Sequence, residues 1–406
     1  MDKRQFIQAG LGLAGVAGIQ GLTLLPSQAC AQAADKWGAS RGYPIGLAGG
    51  LNREPVYRVG NYSGGFEQAF PHRQVAPSAT PSPWRESPVD DVRYRWGFSQ
   101  KSPDDYLASW PVTGLLVARD GQILLERYRF ERTASMRLTS WSMAKSVTSL
   151  LLGICLDRDL IASYDDEAQM YLPELRGTLH GGVTLRNLSN MSSGAAVLHD
   201  RDNNFIYPGA FMGPASEIGR VVANWNQRAE EQGRRYNYNE LCPLTLGMVI
   251  RRVTGRSMSE FAQEALWQPL GAQDMATWTT DSKRNEFNCV GFAATLRDWG
   301  RLGTLVANRG RAGTTQVVSE KWVREFTTWG PLDTQVRHGV PAPHFGYKAH
   351  MWHNRPDGSR LYFNGHHGQR VVVDMPTRTV LVQTAVEHEG NWQGEMFAMF
   401  EAFTKA

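Results

Sequence analysis

A serine and a lysine stand three residues apart at the start of an apolar stretch. Ser142 and Lys145 lead into residues 146–154, whose composition predicts a buried helix. Residues i and i+3 share one helical face, so Lys145 Nζ is expected within reach of Ser142 Oγ. Free N–H groups and the helix dipole at the first turn favour a developing oxyanion. The pair predicts an acyl-enzyme nucleophile with its base attached, the lysine being kept neutral by burial and by neighbouring positive charge.

Two tyrosines precede a second predicted helix. Tyr236 and Tyr238 lie just before residues 244–254, an amphipathic run followed by Gly255, and glycine commonly ends a helix in this way. A phenol beside a charged lysine is expected to have a lowered pKa, so it can hand a proton to a departing amine or alkoxide. Either tyrosine is therefore a candidate for a second acid/base group.

A third segment combines glycine with histidine. Residues 364–369 read Asn-Gly-His-His-Gly-Gln and lead into two β-type runs, 370–374 and 379–384, joined by a turn. Glycine at such a place either flanks a hairpin or allows a close approach of the backbone.

The order and separation of these segments resemble the penicillin-recognising serine hydrolases. This superfamily includes class C β-lactamases, DD-peptidases, family VIII esterases and 6-aminohexanoate-oligomer hydrolases. It carries Ser-x-x-Lys, then Tyr-x-Asn or Tyr-x-Ser, then a Lys- or His-x-Gly motif on a strand. The resemblance spans residues 103–400, and the Gly-x-His-Gly-Gln phrase is most similar to the 6-aminohexanoate-oligomer hydrolase branch.

The resemblance implies a role for each matching residue. Ser142 is the implied nucleophile and Lys145 the implied base. Tyr238 rather than Tyr236 is the implied second acid/base group, because it stands eight residues before Leu246, as the family motif does. The oxyanion hole is implied to combine the backbone N–H of Ser142 with that of Gln369.

Departures from the family pattern concern substrate binding, for which Glu240, His366, His367 and Gly368 are the candidates. Glu240 replaces an asparagine and His366 a lysine. The carboxylate is expected to repel anionic substrates and attract an ammonium group. His366 either binds a substrate carboxylate, contacts Tyr238 or is structural, while a side chain at Gly368 is expected to block the substrate. These departures favour a serine amidase or esterase; a penicillin-binding protein, β-lactamase or DD-peptidase is the alternative.

Composition narrows the partners of the chain. It has 406 residues, 42% of them hydrophobic, and a formal net charge of +4. Basic runs interleaved with aromatic residues are lacking, so the expected partner is a small amide or ester substrate and not nucleic acid. No cysteine or histidine pair has zinc-ligand spacing, and neither a metal nor a cofactor is predicted. Cys155, Cys242 and Cys289 are predicted to be free buried thiols, with one bridge as the alternative.

The N-terminus resembles a signal peptide. Lys3 and Arg4 precede an apolar region at 9–25 and a small-x-small site at 31–33, so residues 1–33 are predicted to be removed on export to the periplasm or medium. The first residues resemble a twin-arginine signal with lysine in the first arginine's place. No other stretch is long and apolar enough to predict a membrane span.

The remaining chain is predicted to divide at residue 102. Residues 34–102 are rich in proline and predict an extended arm, and 103–406 a single hydrolase domain. Asp120 and Gly121 predict a hairpin within 113–128. Strand signals at both ends of the domain, with helices between them, predict an α/β (α+β) fold in which N- and C-terminal strands share one antiparallel sheet around an inserted helical region. The resemblance implies a β-lactamase/transpeptidase-like fold.

Overall fold

The structure is a computed structural model that describes residues 65–130, 132–328, 346–386 and 390–406. The predicted signal peptide and residues 34–64 of the predicted arm lie outside this range. The strands are β1 (His72–Val75), β2 (Arg85–Glu86), β3 (Tyr94–Trp96), β4 (Ser99–Lys101), β5 (Val112–Arg119), β6 (Gln122–Tyr128), β7 (Leu138–Thr139), β8 (Ala276–Thr279), β9 (Phe292–Ala294), β10 (Arg311–Ala312), β11 (Thr315–Gln316), β12 (Gly346–Lys348), β13 (Met351–His353), β14 (Arg360–Gly365), β15 (Gln369–Asp374) and β16 (Thr379–Ala385).

Ten α-helices are formed by the described residues. They are α1 (Pro103–Ser109), α2 (Met143–Asp157), α3 (Leu185–Ser189), α4 (His199–Tyr207), α5 (Ile218–Asn224), α6 (Leu241–Thr254), α7 (Met258–Ala262), α8 (Leu296–Ala307), α9 (Glu320–Thr327) and α10 (Trp392–Lys405). Two of them, α4 and α7, continue directly into π-helical turns at Pro208–Met212 and Gln263–Trp267. Short 3₁₀ turns occur at Phe66–Gln68, Ala168–Met170, Pro173–Leu175 and His366–Gly368.

Both ends of the hydrolase region contribute to one eight-stranded sheet. Its spatial order is β12-β13-β14-β15-β16-β5-β6-β2, and the pairing of β16 with β5 joins the C-terminal strands to the N-terminal hairpin. This confirms the predicted shared sheet. All neighbouring strands are antiparallel except β2, which runs parallel to β6 at the edge. The hairpin turns at Asp120 and Gly121, which have φ of 50° and 75°, as a two-residue turn of type I′ requires.

The sheet separates two hydrophobic cores. Val371 and Val373 belong to the core on the side of α8 and the helical region, whereas Val372 belongs to the core under α10. Successive side chains of a strand point to opposite faces, so a continuous apolar run is expected for a strand covered on both sides. The close approach of α8 to the sheet depends on Gly303, where a Cβ would come within 2.4 Å of Val380.

A second sheet has two of its strands, β8 and β9, within the region predicted to be helical. Its four strands have the order β1-β8-β9-β7. The runs at β8 and β9 are short and wholly buried, and a short apolar run does not by itself distinguish strand from helix. β1 comes from the predicted arm and pairs with β8. This sheet leads the chain through β7 to the start of α2.

The three cysteines at 155, 242 and 289 are free and buried, as predicted. Within the described ranges, no helix is long and apolar enough to cross a membrane. The same residues contain no group of three or more histidine, cysteine, aspartate or glutamate side chains placed to hold a metal ion.

Candidate active site

Ser142 stands at a sharp turn between a strand and a helix. β7 is held by β9, and Ser140 N–H donates to the carbonyl of Phe292 at 2.7 Å. Trp141 then takes φ of 45°, a left-handed conformation that is uncommon outside glycine and often marks a functional site. Ser142 occupies the N-cap position of α2, yet its side chain makes no capping hydrogen bond. Its Oγ is partly exposed and available for chemistry.

Lys145 reaches the same oxygen from the first turn of α2. Its Nζ donates to Ser142 Oγ at 2.9 Å and to the carbonyl of Cys289 at 3.1 Å. Glu240 Oε2 lies 2.5 Å from the same nitrogen. The lysine is 1% exposed and the glutamate 0%. Lys145 Nζ thus makes two hydrogen bonds and one ion pair.

The charge state of Lys145 differs from the neutral amine expected from the sequence. Burial by itself lowers the pKa of this lysine, but Glu240 together with smaller contributions from Tyr238 and Cys289 outweighs burial and raises the pKa above its ordinary value of 10.5. The expectation assumed positive neighbours, and the structure supplies a carboxylate. Lys145 is therefore a cation in the resting site.

Glu240 is also placed differently from the substrate-facing position expected for it. Burial opposes ionisation of this carboxyl, but Lys145 beside it lowers its pKa overall. Tyr207 OH donates to Glu240 Oε1 at 3.1 Å. Because Lys145 compensates its charge and water does not reach it, Glu240 acts on the lysine and not directly on a substrate in the cleft.

A buried asparagine ties together the three segments that surround Lys145. Asn288 Nδ2 donates to the carbonyl of Pro243 at 2.6 Å, at the start of α6, and to Thr148 Oγ1 at 3.2 Å, in α2. Thr148 in turn donates to the carbonyl of Asn288 at 3.1 Å. Gly247 lets α6 approach closely, since a Cβ there would come within 2.5 Å of the asparagine. This network fixes Lys145 and Glu240 relative to each other.

Tyr238, and not Tyr236, meets the serine and the lysine. Ser142 and Lys145 lie close enough to its hydroxyl for each to lower its pKa, and Lys145 Nζ lies 4.9 Å from the centre of its ring. Its pKa was expected to be lowered and is raised instead, because burial outweighs the effect of Lys145. The hydroxyl of Tyr236 is buried without a hydrogen bond to the described residues. The segment is held by Asn237, whose Nδ2 donates to the carbonyls of Ala195 and Val197.

Five of the candidate residues line one cleft of about 1090 Å³, namely Ser142, Tyr238, His366, His367 and Gly368. Ser142 and Tyr238 lie in its wall, together with α4, Trp352 of β13, the turn between β14 and β15, and the start of α10. His199 of α4 packs edge-on against Tyr238, with ring centres 5.2 Å apart, and burial lowers its pKa. A cleft of this size is large enough for a small organic substrate.

The two donors expected for the oxyanion hole are not equally available. Ser142 N–H makes no hydrogen bond to the described residues and faces the start of α2. Gln369 N–H donates to the carbonyl of His366 and closes the 3₁₀ turn. Its side chain donates to the carbonyl of Ala385 at 2.7 Å, and the residue is 1% exposed. In this conformation Gln369 shapes the turn and does not offer its N–H to the cleft.

The turn between β14 and β15 lines the cleft with both histidines. His366 is exposed and His367 is 4% exposed, and their rings pack edge-on against Trp141. Gly368 also faces the cleft but has φ of 87°, so backbone conformation already favours glycine there. Steric crowding requires glycine more strictly at Gly365, where a Cβ would lie 2.2 Å from the carbonyl oxygen of Ser140.

Sequence reasoning did not identify three residues that shape this site. Trp141 carries the strained turn, Tyr207 supports Glu240, and Arg370 lines the cleft at the start of β15. The arginine had a signal in the sequence, since a charged residue opens a strand that is otherwise apolar at 371–373. The other two had none, because their roles depend on backbone conformation and on distant contacts.

The comparisons with known proteins agree with this architecture. A family model described as Beta-lactamase matches residues 105–401. The 6-aminohexanoate-dimer hydrolase of Paenarthrobacter ureafaciens is 25% identical over 291 residues, which cover 66% of this chain and 71% of that protein.

Solved structures share the fold. A Bacillus anthracis protein described as a candidate 6-aminohexanoate-dimer hydrolase has a TM-score of 0.76 and 20% identity, covering 87% of this chain and 94% of its own. A family VIII carboxylesterase has a TM-score of 0.57 and 16% identity, covering 74% of this chain and 95% of its own. The chain belongs to the Beta-lactamase family and is a serine hydrolase with amidase- and esterase-like relatives.

Proposed function

We propose that this protein hydrolyses amide or ester bonds through an acyl-enzyme on Ser142. The observation that carries the proposal is the serine oxygen itself. It is not used to cap its helix, it lies 2.9 Å from Lys145 Nζ, and it opens onto the cleft. The sequence motif and the geometry thus converge on one nucleophile.

The resting charges suggest how Ser142 loses its proton. With Lys145 charged and Tyr238 neutral, the unprotonated base of the cluster is the carboxylate of Glu240. As Ser142 Oγ bonds to the acyl carbon, Lys145 Nζ takes the serine proton and passes one of its own to Glu240. The lysine stays charged beside the developing oxyanion, which it stabilises. Glu240 acts through Lys145 and is a positioning residue that stores the proton.

Tyr238 supplies the second transfer. When the tetrahedral intermediate collapses, the bond to the leaving group breaks, and an amine leaving group must gain a proton. Tyr238 contacts Ser142 and Lys145, so it gives its phenolic proton to the amine while Lys145 returns a proton to the phenol and recovers one from Glu240. Water then cleaves the acyl-enzyme by the reverse sequence and releases the acid.

Export is part of the proposal. The basic residues Lys3 and Arg4, the apolar region at 9–25 and the small residues at 31–33 support removal of residues 1–33 and action in the periplasm or medium. Cell fractionation together with N-terminal sequencing of the mature protein tests this step. A protein that keeps Met1 and stays in the cytoplasm contradicts it.

The nucleophile is tested by covalent labelling. A fluorophosphonate probe is expected to modify purified protein at Ser142, and Ser142→Ala is expected to lose both labelling and hydrolysis, the latter by about a thousandfold or more. Ser146→Ala is the control, because Ser146 Oγ is buried and donates to the carbonyl of His350 at 2.9 Å. A panel of amides, esters and β-lactams then identifies the preferred bond. Labelling of another serine refutes the assignment, and a β-lactam as the best substrate refutes the amidase/esterase class.

A further inference from the structure

Arg370 is a second buried cation of the cleft, and its hydrogen bonds go to neutral oxygens. The side chain is 6% exposed and lies in the cleft wall. Its NH1 donates to the carbonyls of Gly365 and Gln369, and its NH2 donates to Gln393 Oε1 at 2.8 Å. No aspartate or glutamate of the described ranges forms an ion pair with it, and the charges that affect it are those of tyrosines.

Two donors at this wall lack a partner among the described residues. They are the Nε of Arg370 and the side-chain Nε2 of Gln393, both buried. The amide orientation of Gln393 is set by chemistry, because a guanidinium has only donors and must receive the amide oxygen. The Gln393 N–H₂ group is consequently left on the other side of the amide, where no described residue accepts from it.

The surroundings of Arg370 are unfavourable for an isolated charge. Burial lowers its pKa to about 9, so the guanidinium stays protonated at neutral pH. The ring of Trp392 lies 4.8 Å from its central carbon and offsets part of the cost. An uncompensated buried charge remains costly, whereas an anion that supplies acceptors removes that cost.

We propose that Arg370 and Gln393 form a subsite for a carboxylate of the substrate. Guanidinium and carboxylate match in a two-point hydrogen bond, and the amide donor of Gln393 adds a third contact. The inference rests on the proposed hydrolase function and names its substrate class: amides or esters that carry a carboxylate in the acyl part or in the leaving part. Asp200, a carboxylate that lines the same cleft, is exposed to water and screened.

The subsite reverses the charge preference expected from the sequence. Glu240 was expected to repel anionic substrates, but Lys145 compensates its charge within 2.5 Å. Among the residues that the structure describes, the charge that remains uncompensated in the buried wall is the positive one on Arg370.

Paired substrates test the proposal. The first pair is mono(4-nitrophenyl) adipate, which carries a carboxylate in its acyl part, and 4-nitrophenyl hexanoate, which does not. The second pair is N-hexanoyl-6-aminohexanoate, which carries a carboxylate in its leaving part, and N-hexyl hexanamide, which does not. In at least one pair, kcat/KM is expected to favour the carboxylate by about tenfold, equal to about 1.4 kcal/mol. Arg370→Gln is expected to bring this ratio close to one, because the carboxylate-bearing member loses about tenfold more of its kcat/KM than the neutral member does.

Two further variants serve as controls. Arg378→Gln removes an exposed arginine that pairs with Asp120 beyond the end of the same strand, and it should leave the ratio unchanged. Arg370→Lys keeps the charge without the planar fork and should give an intermediate ratio. Equal loss on both members of a pair in Arg370→Gln would show a structural role and overturn the subsite, as would a wild-type ratio near one in both pairs.

Calorimetry of the wild-type protein decides the question even when Arg370→Gln does not fold. Hexanoate should bind about tenfold more tightly than hexanamide, and equal affinities overturn the subsite. This measurement needs no catalysis. If no ester or amide is hydrolysed, the proposed function fails, while binding of hexanoate still judges the subsite.

Discussion

Two buried cations lie at one cleft, Arg370 in its wall and Lys145 behind Ser142, and their surroundings differ in one respect. Lys145 has a carboxylate 2.5 Å away and a serine oxygen at 2.9 Å. Arg370 has two backbone carbonyls and a side-chain amide. A buried charge is expensive unless it is paired. The first charge is therefore satisfied within the protein and available for proton transfer, whereas the second has no carboxylate partner among the described residues and is the one for which we propose an anion from the cleft.

The largest effect is expected from removing the compensation of Lys145. Glu240→Gln leaves the ammonium buried without a counter-charge and should lower the free energy of unfolding by about 3–5 kcal/mol. Urea denaturation at pH 7 measures the change. Glu264→Gln is the control, since this glutamate is half exposed and pairs with Arg158 on the surface; a loss under about 1 kcal/mol is expected. Equal losses in the two variants would show that burial of the pair has no special cost.

The ion pair between Lys145 and Glu240 should also determine how stability depends on pH. The folded-state pKa of Glu240 lies below its ordinary value of 4.5, so its contribution is complete above that pH and is lost as the pH falls through the folded-state pKa. The folded-state pKa of Lys145 lies above 10.5, so its contribution is complete below that pH and is lost at higher pH. Unfolding measured from pH 3 to 7 should show a weaker acid dependence in Glu240→Gln than in the wild type.

Activity should report the same coupling. Glu240→Gln removes the largest effect that raises the pKa of Lys145, so burial is expected to lower this pKa. The lysine must then lose its proton before it can accept one from Ser142. The acidic limb of kcat/KM is thus expected to move to higher pH than in the wild type, where Glu240 sets it. A purely structural role would lower the rate without moving the limb.

Removing the hydroxyl of Tyr238, the second acid/base group, should have a smaller effect that depends on the substrate. Tyr238→Phe is expected to reduce hydrolysis of amides by about a hundredfold and of 4-nitrophenyl esters much less, because nitrophenolate leaves without a proton. Tyr236→Phe is the matched control, since that hydroxyl makes no hydrogen bond with the described residues. Steady-state kinetics on both substrate types decides between them. A selective loss in Tyr236→Phe instead would show that Tyr236, and not Tyr238, is the proton donor.

The smallest effect on stability is expected from removing Arg370, the cation without a carboxylate partner in the described ranges. Arg370→Met removes a buried charge that has no carboxylate partner in the described ranges, so the loss in the free energy of unfolding should be about 1–2 kcal/mol, mainly from carbonyl oxygens left without a donor. Thermal and urea unfolding beside Glu240→Gln give the comparison. A loss as large as in Glu240→Gln would mean that Arg370 is compensated within the protein, and the contrast between the two cations would disappear.

Much of the fold was predictable because its elements carry strong local signals. The hairpin at Asp120 and Gly121, the apolar helix α2 and the continuous apolar strand β15 were each predicted, and each formed. The sheet β1-β8-β9-β7 was not predicted. Its strands are two to four residues long, and all of them except β1 are wholly buried, so no period is long enough to show their type.

In the candidate site, too, the features that depend on neighbouring residues were predicted and those that depend on remote segments were not. The spacing of Ser142 and Lys145 on one helix determined their contact, because three residues of helix bring side chains together whatever the rest of the chain does. The choice of Tyr238 over Tyr236 came from the resemblance, and the structure places Tyr238 beside both of them. The pKa directions of Lys145 and Tyr238 were predicted wrongly, since each depends on the sum of burial and charges from other segments.

By itself, the sequence determined which chemical groups this protein contains. It also determined which of them share a helix, a hairpin or a strand, because residues that share such an element are only a few positions apart along the backbone. The tertiary structure alone decided which charges meet. Glu240 lies 95 positions after Lys145 in the chain, and the packing of α6 against α2 makes it the partner of the lysine. Arg370 acquired no such partner among the described residues. Charge compensation depends on distances between remote segments, and that physical reason makes it a property of the fold.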